Sequence, residues 1–321
     1  MRDKVRLLFG FLIIILGVCV YLYPAYRDKQ LSKNTDTIME QIHEYRETLS
    51  KENESPGEAV KESQNETDEK PEESQQKKAY DSLYEEMQAY NDRIMEEGQQ
   101  LVDAWSYAQP PVGFTSPLEG NAVGCIRIPD MNVELPLYIG ATNEHMAAGA
   151  VVLSETSMPI GGEDTNCVIA GHRGYQGAPY FRDIELLKEG SLVIIENPWE
   201  TLTYEAVEIE IVDPGDMESI LIQPGKDMVT LLTCHPYMSG GKYRYIVYCE
   251  RTENVQDEEN KGKGETDGFI EKEQAHTEEK LSAANFFSES TNLIYLEHVL
   301  RIAIPVLLII LAIFVFKRKK R

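Results

Sequence analysis

The sequence predicts a mainly β protein whose core is a closed or nearly closed barrel between residues 113 and 251. Up to about residue 105 the apolar residues recur at helical spacing, but from Gly113 short β-branched runs replace that pattern. Turn sequences such as Pro214-Gly215 and Ser239-Gly240-Gly241 separate the runs, which is typical of barrels. The predicted strands are 122–128, 133–139, 149–153, 166–170, 191–195, 201–213, 227–234 and 243–250, with one helical turn at 181–187.

Two amphipathic helices are predicted before the barrel. Apolar residues spaced by three or four positions form one stripe within 27–50 and a second within 79–112. The first stripe is Ile38, Ile42, Tyr45 and Leu49; the second is Tyr80, Leu83, Met87, Tyr90 and Ile94, continued by Leu101, Val102 and Trp105 and ended by Pro110-Pro111. We expect the second helix to dock on the barrel.

The ends of the chain predict two membrane spans. Residues 7–23 are uncharged and mostly apolar, close to the about 17–20 residues that a helix needs to cross a bilayer. A second apolar run covers 299–316, interrupted by Arg301 and Pro305, and the basic segment 317–321 follows it. The alternative for this second run is a buried core helix. With basic residues at both termini, the positive-inside rule places both ends in the cytoplasm and 27–298 outside. We therefore expect an N-terminal anchor at 1–26 and a C-terminal span with a basic tail at 291–321.

The charge distribution excludes some functions and predicts two linkers. A formal net charge of −23 argues against nucleic-acid binding, which depends on basic surfaces. The segments 51–78 and 252–290 are acidic and polar with little apolar content, so they cannot offset the entropy of ordering. We predict that both are disordered linkers.

The five cysteines do not form a metal motif. There is no CxxC pair, and no spacing suits zinc. Cys19 lies in the first predicted span, whereas Cys125, Cys167 and Cys249 lie in strand-like runs and are expected to be small buried hydrophobes. A disulfide among these three stays open, because sequence does not reveal connectivity.

Three residues that could carry nucleophilic chemistry stand at or near the ends of separate strands. Cys234 ends one run, His172 follows another, and Arg244 lies in a third. Together they offer a nucleophile, a proton carrier and a donor that stabilises an oxyanion. His235 is adjacent to Cys234, but neighbouring strand residues point to opposite faces, which argues against it unless the strand has already turned. Arg173 should likewise face away from His172.

The motifs around these residues resemble the sortases, the cysteine transpeptidases of Gram-positive cell surfaces. The resemblance rests on Thr230-Leu231-Leu232-Thr233-Cys234, on Gly171-His172-Arg173-Gly174 and on Arg244, and it extends over about residues 79–251. It implies an eight-stranded sortase-type β-barrel in residues 113–251, with Cys234 as nucleophile, His172 as proton carrier and Arg244 as oxyanion donor.

Within that family the sequence looks most like class C, whose members polymerise pilins. The C-terminal span with its basic tail and the stretch 154–162 resemble that class, and Asp103-Ala104-Trp105 resembles its lid. The lid reading implies that Asp103 pairs with the catalytic arginine while Trp105 covers the cysteine. The common form has proline where this chain has Ala104, which leaves the stiffness of the lid open. The alternative is a helix C-terminus with an exposed acid and a packed tryptophan.

The resemblance implies cleavage of an LPxTG-like signal between Thr and Gly, transfer of the acyl group to an amine such as a pilin lysine, and no cofactor. Three alternatives stay open: a housekeeping-type sortase that anchors proteins to peptidoglycan, a surface cysteine protease, and a non-catalytic assembly module with a sortase-like barrel. A papain-like protease is disfavoured, because such enzymes place the cysteine before the histidine.

Overall fold

A computed structural model describes residues 2–53, 71–101, 113–176 and 178–253, together with Ala303. Two long helices, α1 (Arg2–Asn53) and α2 (Pro71–Glu97), precede the sheet, and a short helix, α3 (Asn143–Ala148), lies within it. Most of the two predicted linkers lies outside the described residues.

Eight strands close into a barrel in the order β1-β2-β3-β4-β7-β8-β6-β5, where β1 also pairs with β5. Their bounds are β1 (Gly124–Ile128), β2 (Val133–Ile139), β3 (Ala150–Val152), β4 (Thr165–Ala170), β5 (Leu192–Glu196), β6 (Thr201–Val212), β7 (Asp227–His235) and β8 (Tyr243–Arg251). Neighbouring strands are antiparallel except for β2 with β3 and β4 with β7. The predicted mainly β, eight-stranded barrel is confirmed, and the predicted helical turn is a 3-10 turn at Ile184–Leu186.

Two apolar clusters line the two faces of the barrel wall. All eight strands contribute to one of them, for example through Val229, Leu231 and Val247, so this cluster is the barrel interior. Side chains of alternate parity, such as Met228 and Ile246, belong to a second cluster on the outer face, which α1 helps to cover. Because strand side chains alternate between faces, residue parity on each strand tells which side of the wall a side chain occupies.

The helix α2 docks through the stripe that its spacing predicts. Tyr80, Leu83, Met87, Tyr90 and Ile94 are all buried. The prediction that the helix continues to Trp105 is wrong, because α2 ends at Glu97 and Gly98 adopts a positive φ of 83°. Such a left-handed glycine is a common way to end a helix. The side-chain amide of the next residue, Gln99, donates to the Glu155 carbonyl at 2.9 Å.

The helix α1 packs along the outer face of the barrel. Ile38, Ile42 and Tyr45 are buried in the outer cluster, and Arg46 donates to the backbone carbonyls of Asn197 and Glu200. The predicted juxtamembrane helix is therefore the second half of one continuous helix that begins at Arg2. No glycine or capping residue interrupts the helical pattern at 27, and Pro24 lies inside the helix.

Across the residues that the structure describes, no helix combines the length and the apolarity needed to cross a membrane. The finding does not support the two predicted spans, and the C-terminal one lies outside the described residues apart from Ala303.

All five cysteines lie in described parts of the chain and are free, so the disulfide left open by the sequence does not form. Cys125, Cys167 and Cys249 are buried as expected, and burial raises the pKa of each of these thiols. Cys234 is only partly buried.

Candidate active site

The strand β7 ends in a half-buried cysteine. Its β-branched and apolar residues pair on both sides, with β4 and with β8, so that the strand end is held between two neighbours. Cys234 is the penultimate residue of β7 and lies directly opposite Arg244 of β8. The ladder therefore sets the spacing between the thiol and the guanidinium.

The strand β4 brings His172 to the same end of the barrel. Its last residue, Ala170, pairs with Leu232 in a parallel register, so both strands end at the same edge. Two further bonds continue the alignment: the Gly171 N–H donates to the Leu232 carbonyl at 3.1 Å, and the Thr233 hydroxyl donates to the Gly171 carbonyl at 2.7 Å. His172 is the next residue and leaves the ladder beside Cys234.

Residue parity places the three candidate residues on one face of the wall. On β7, Cys234 continues the parity of Met228 and Leu232, and on β8, Arg244 continues that of Ile246; all three of these apolar residues contact the outer cluster. His172 extends the outward parity of β4 by one step beyond Ala170. The order β4-β7-β8 in the barrel puts the cysteine between the histidine and the arginine.

Aromatic rings enclose His172. Its imidazole stacks on Tyr175 with centroids 4.5 Å apart, and it meets the edge of Tyr180 at 6.2 Å. The partial burial lowers the pKa of His172, because desolvation disfavours the imidazolium. A lower pKa makes the protonated ring a stronger acid toward a leaving group.

The turn before β8 holds the arginine side chain in place. Arg244 is buried, and its Nη1 donates to the Gly241 carbonyl at 2.8 Å and to the Tyr243 carbonyl at 3.1 Å. A Cβ on Gly241 would lie 3.0 Å from that nitrogen and 3.1 Å from the Cys234 Sγ. At Gly241, with φ of 82°, there is therefore little room for a side chain beside these two groups. The sequence marked this residue only as part of a turn.

The inner face of the same strand ends carries a different cluster. His235 is fully buried, and its Nδ1 lies 3.1 Å from Arg173 Nη1 and 3.5 Å from Glu185 Oε1. Because arginine always donates, the Nδ1 atom accepts and the ring is neutral. Burial and the charge of Arg173 lower the pKa of His235 to about 4. His235 therefore lies on the opposite face of β7 from the outward parity of Cys234, and the Arg173 side chain lies beside His235 on that inner face.

Two predicted site residues, Asp103 and Trp105, lie outside the described residues, so the lid stays a prediction. In the part of the chain that the structure describes, no group of three or more His, Cys, Asp or Glu side chains is placed to hold a metal ion. The described groups at this end of the barrel support nucleophilic and acid–base chemistry.

Comparisons with known proteins identify the family of this chain. The family model for the sortase domain matches residues 126–252, a range that contains all three candidate residues. Sortase A of Staphylococcus aureus is 31% identical over 156 residues, which are 48% of this chain and 72% of the relative. The chain belongs to the sortase family. Members of this family are cysteine transpeptidases.

Two further relatives define the extent of the likeness. Sortase D of Bacillus subtilis is 31% identical over 137 residues, and the match spans 42% of this sortase and 66% of the relative, just under two thirds of its length. The crystal structure of Streptococcus agalactiae sortase C1 in complex with MTSET superposes with a TM-score of 0.50 at 29% identity. That superposition covers 56% of this sortase and 91% of the solved chain. The residues that the family model matches, 126–252, run from β1 to the end of β8.

Proposed function

We propose that this sortase cleaves an LPxTG-like sorting signal between its threonine and glycine and transfers the acyl group to an amine, a pilin lysine. The observation that carries the proposal is the placement of His172, Cys234 and Arg244 on one face of three adjacent strand ends. A nucleophile flanked by a proton carrier and a fixed cation is the arrangement that acyl transfer through a thioester requires.

In the first step the Cys234 thiolate attacks the threonine carbonyl carbon. The carbonyl π electrons move onto oxygen, and the resulting oxyanion lies toward the Arg244 guanidinium. When the tetrahedral intermediate collapses, the C–N bond to glycine breaks and the His172 imidazolium gives its proton to the departing amine. The products are a thioester on Cys234 and the C-terminal fragment of the signal.

In the second step an uncharged amine attacks the thioester carbonyl. His172, now neutral, takes the proton from the attacking nitrogen, and the C–S bond breaks to release the Cys234 thiolate. Arg244 stabilises the second oxyanion as it did the first. Protons and charges balance over the cycle, and no cofactor takes part.

The proposed acceptor amine depends on the class of sortase to which the chain is compared. The likeness to a sortase C1 structure supports a pilin-polymerising class C enzyme, and the predicted Asp103–Trp105 lid supports the same class. The alternative is a housekeeping-type sortase that uses a peptidoglycan amine, because a relative that is 31% identical is a sortase A. A transfer assay that offers a lysine-containing pilin peptide and an oligoglycine in competition separates the two.

Membrane anchoring is part of the proposal. The uncharged residues 7–23 and the basic residues before them support an N-terminal anchor, and 299–316 with its basic tail supports a second span. Both termini would then be cytoplasmic and the barrel extracellular. On α1, Tyr23 donates to the side chain of Gln176 at 3.0 Å, which places the apolar end of the helix beside the loop that follows His172. Protease protection of the two termini, but not of the barrel, in intact cells tests this topology.

A cysteine variant tests the catalytic proposal. Cys234→Ala should lose all thioester formation and transfer on a fluorescent LPxTG peptide, because the variant lacks the nucleophile. Cys125→Ala is the matched control: its thiol is buried on the other side of the barrel, in β1. Comparable turnover by the two variants would overturn the assignment of Cys234.

A further inference from the structure

The side chain of Arg173, next to His172 in sequence, lies on the opposite side of the wall and is only 3% exposed. Its guanidinium contacts three separate stretches of chain. Nε donates to the Arg182 carbonyl at 3.1 Å, Nη2 forms an ion pair with Glu185 at 2.6 Å, and Nη1 donates to the Cys234 carbonyl at 3.4 Å as well as to His235. The guanidinium carbon also lies 5.6 Å from the ring centroid of Tyr245 on β8.

These contacts join the loop that carries His172 to the strand end that carries Cys234. The loop is itself tied at both ends, since the N–H groups of Gly174 and Phe181 donate to the His172 carbonyl at 2.8 and 2.9 Å. The Arg173 side chain connects that loop to the end of β7 by hydrogen bonds. The bond to the Cys234 carbonyl acts on the backbone of the nucleophile itself.

The contact set requires an arginine. Its planar fork presents donors in fixed directions, so that Nε reaches the Arg182 carbonyl and Nη1 the Cys234 carbonyl, while the charge of Nη2 lies beside Glu185. A lysine at the same place keeps the charge but not the geometry. Glu185 compensates the buried positive charge and is itself only 11% exposed.

We propose that Arg173 is a positioning residue for the transpeptidation, holding Cys234 at a fixed place relative to His172 through the ion pair with Glu185. The inference rests on the proposed roles of Cys234 and His172. Arg173 does not touch the substrate; its effect is on the distance across which His172 and the Cys234 adduct exchange a proton. Displacements of about 1 Å in such an arrangement cost rates of about a hundredfold.

The test compares Arg173→Lys with Arg251→Lys. Arg251 is the matched control, because it also pairs with a glutamate, Glu200, and lies over a tyrosine ring, but at the far end of β8. Both variants are assayed as the full chain on an LPxTG peptide with an amine acceptor, at a temperature where circular dichroism shows them folded. Arg173→Lys should lose about tenfold or more in kcat with KM within about twofold, whereas Arg251→Lys keeps both.

Glu185→Gln provides a second variant that keeps the side-chain shape, and it should show the same loss in kcat with KM unchanged. A folded Arg173→Lys or Glu185→Gln enzyme with the kcat of the wild type would overturn the positioning role, even if its melting temperature falls. The proposed function fails separately: a wild-type chain without Cys234-dependent turnover contradicts the proposed reaction, whereas an active wild type with unaffected variants contradicts only the role of Arg173.

Discussion

Cys234 and His235 are neighbours in β7, yet their side chains lie on opposite faces of the barrel wall. Cys234 shares the outer parity of Leu232, whereas His235 is buried against Arg173 and the ring of Tyr245, 5.6 Å away. The histidine nearest to the nucleophile in sequence is therefore separated from it by the backbone of the strand. His172, which is 62 positions away in the sequence, lies on the face of the thiol.

This relationship predicts different losses for the two histidines. His172→Ala should lower kcat/KM on an LPxTG peptide by about a hundredfold or more, since it removes the proposed proton carrier. His235→Asn should lose less than about tenfold, because the asparagine oxygen can accept the bond from Arg173 that Nδ1 accepts now. Equal losses in two folded variants would show that His235 takes part in the proton transfer.

The buried His235 also predicts a specific loss of stability in acid. Its pKa is about 4 in the folded state, against about 6.5 in the unfolded chain, so the unfolded state binds the extra proton first. The neutral, buried ring therefore contributes its full stabilisation above about pH 6.5, and a contribution on the order of 3 kcal/mol is lost as the pH falls toward 4. Arg173 and Tyr245 face the ring, and Glu185 lies close enough to moderate the effect.

Urea unfolding of the wild type and of His235→Asn at several pH values between 7 and 4 measures this contribution. The free energy of unfolding should fall more steeply for the wild type, since the carboxylates titrate in both proteins and cancel in the difference. Parallel curves would mean that His235 is already protonated in the folded state or that its burial is relieved.

The sequence predicted the strands well because their signals are local. β-branched runs and turns such as Pro214-Gly215 placed all eight strands to within about two residues of their observed bounds. The end of α2 was mispredicted because the apolar spacing continues past Gly98, whereas the helix ends at Glu97, just before this glycine with its positive φ.

In the candidate site too, local features could be predicted from the sequence and contacts between distant segments could not. Strand alternation alone placed Cys234 and His235 on different faces. The contacts of Arg173 with Glu185 and Cys234 could not be predicted, because they depend on how β4, β7 and the 184–186 turn meet in three dimensions. Gly241 gave a turn signal, but its approach to the thiol is a consequence of the closed barrel.

A lid over the thiol predicts unequal effects at two positions. Burial of Trp105 would contribute at most about 1.5–3 kcal/mol to closure, whereas a partly exposed pair between Asp103 and Arg244 contributes about 0–1 kcal/mol. Trp105→Ala should therefore speed modification of Cys234 by a small thiol reagent more than Asp103→Ala does. If neither variant changes the rate, the segment is an ordinary linker and the class C assignment loses that support.

Alanine in place of Gly241 should lower activity, whereas alanine in place of its neighbour Gly240 should not. Both residues have positive φ, 82° and 72°, so alanine at either position carries a similar backbone cost of about 1–2 kcal/mol. Around Gly240 nothing lies within 4 Å of a new Cβ, whereas at Gly241 the Cβ would press on Arg244 and on the Cys234 sulfur at 3.0 and 3.1 Å. The Arg244 guanidinium or the Cys234 side chain must then shift.

Gly241→Ala should lower kcat/KM by about tenfold or more, while Gly240→Ala, with a similar fall in melting temperature, keeps most of it. Comparing the two variants separates two effects. Both alanines lower the stability, but only the alanine at Gly241 displaces a group at the site. Modification of Cys234 by a small thiol reagent gives an independent measurement, because a methyl group against the sulfur slows access even when turnover is limited by another step. Equal kcat/KM and equal modification rates in the two variants would show that the turn before β8 yields to the added methyl group, and that Gly241 is required only for its backbone conformation.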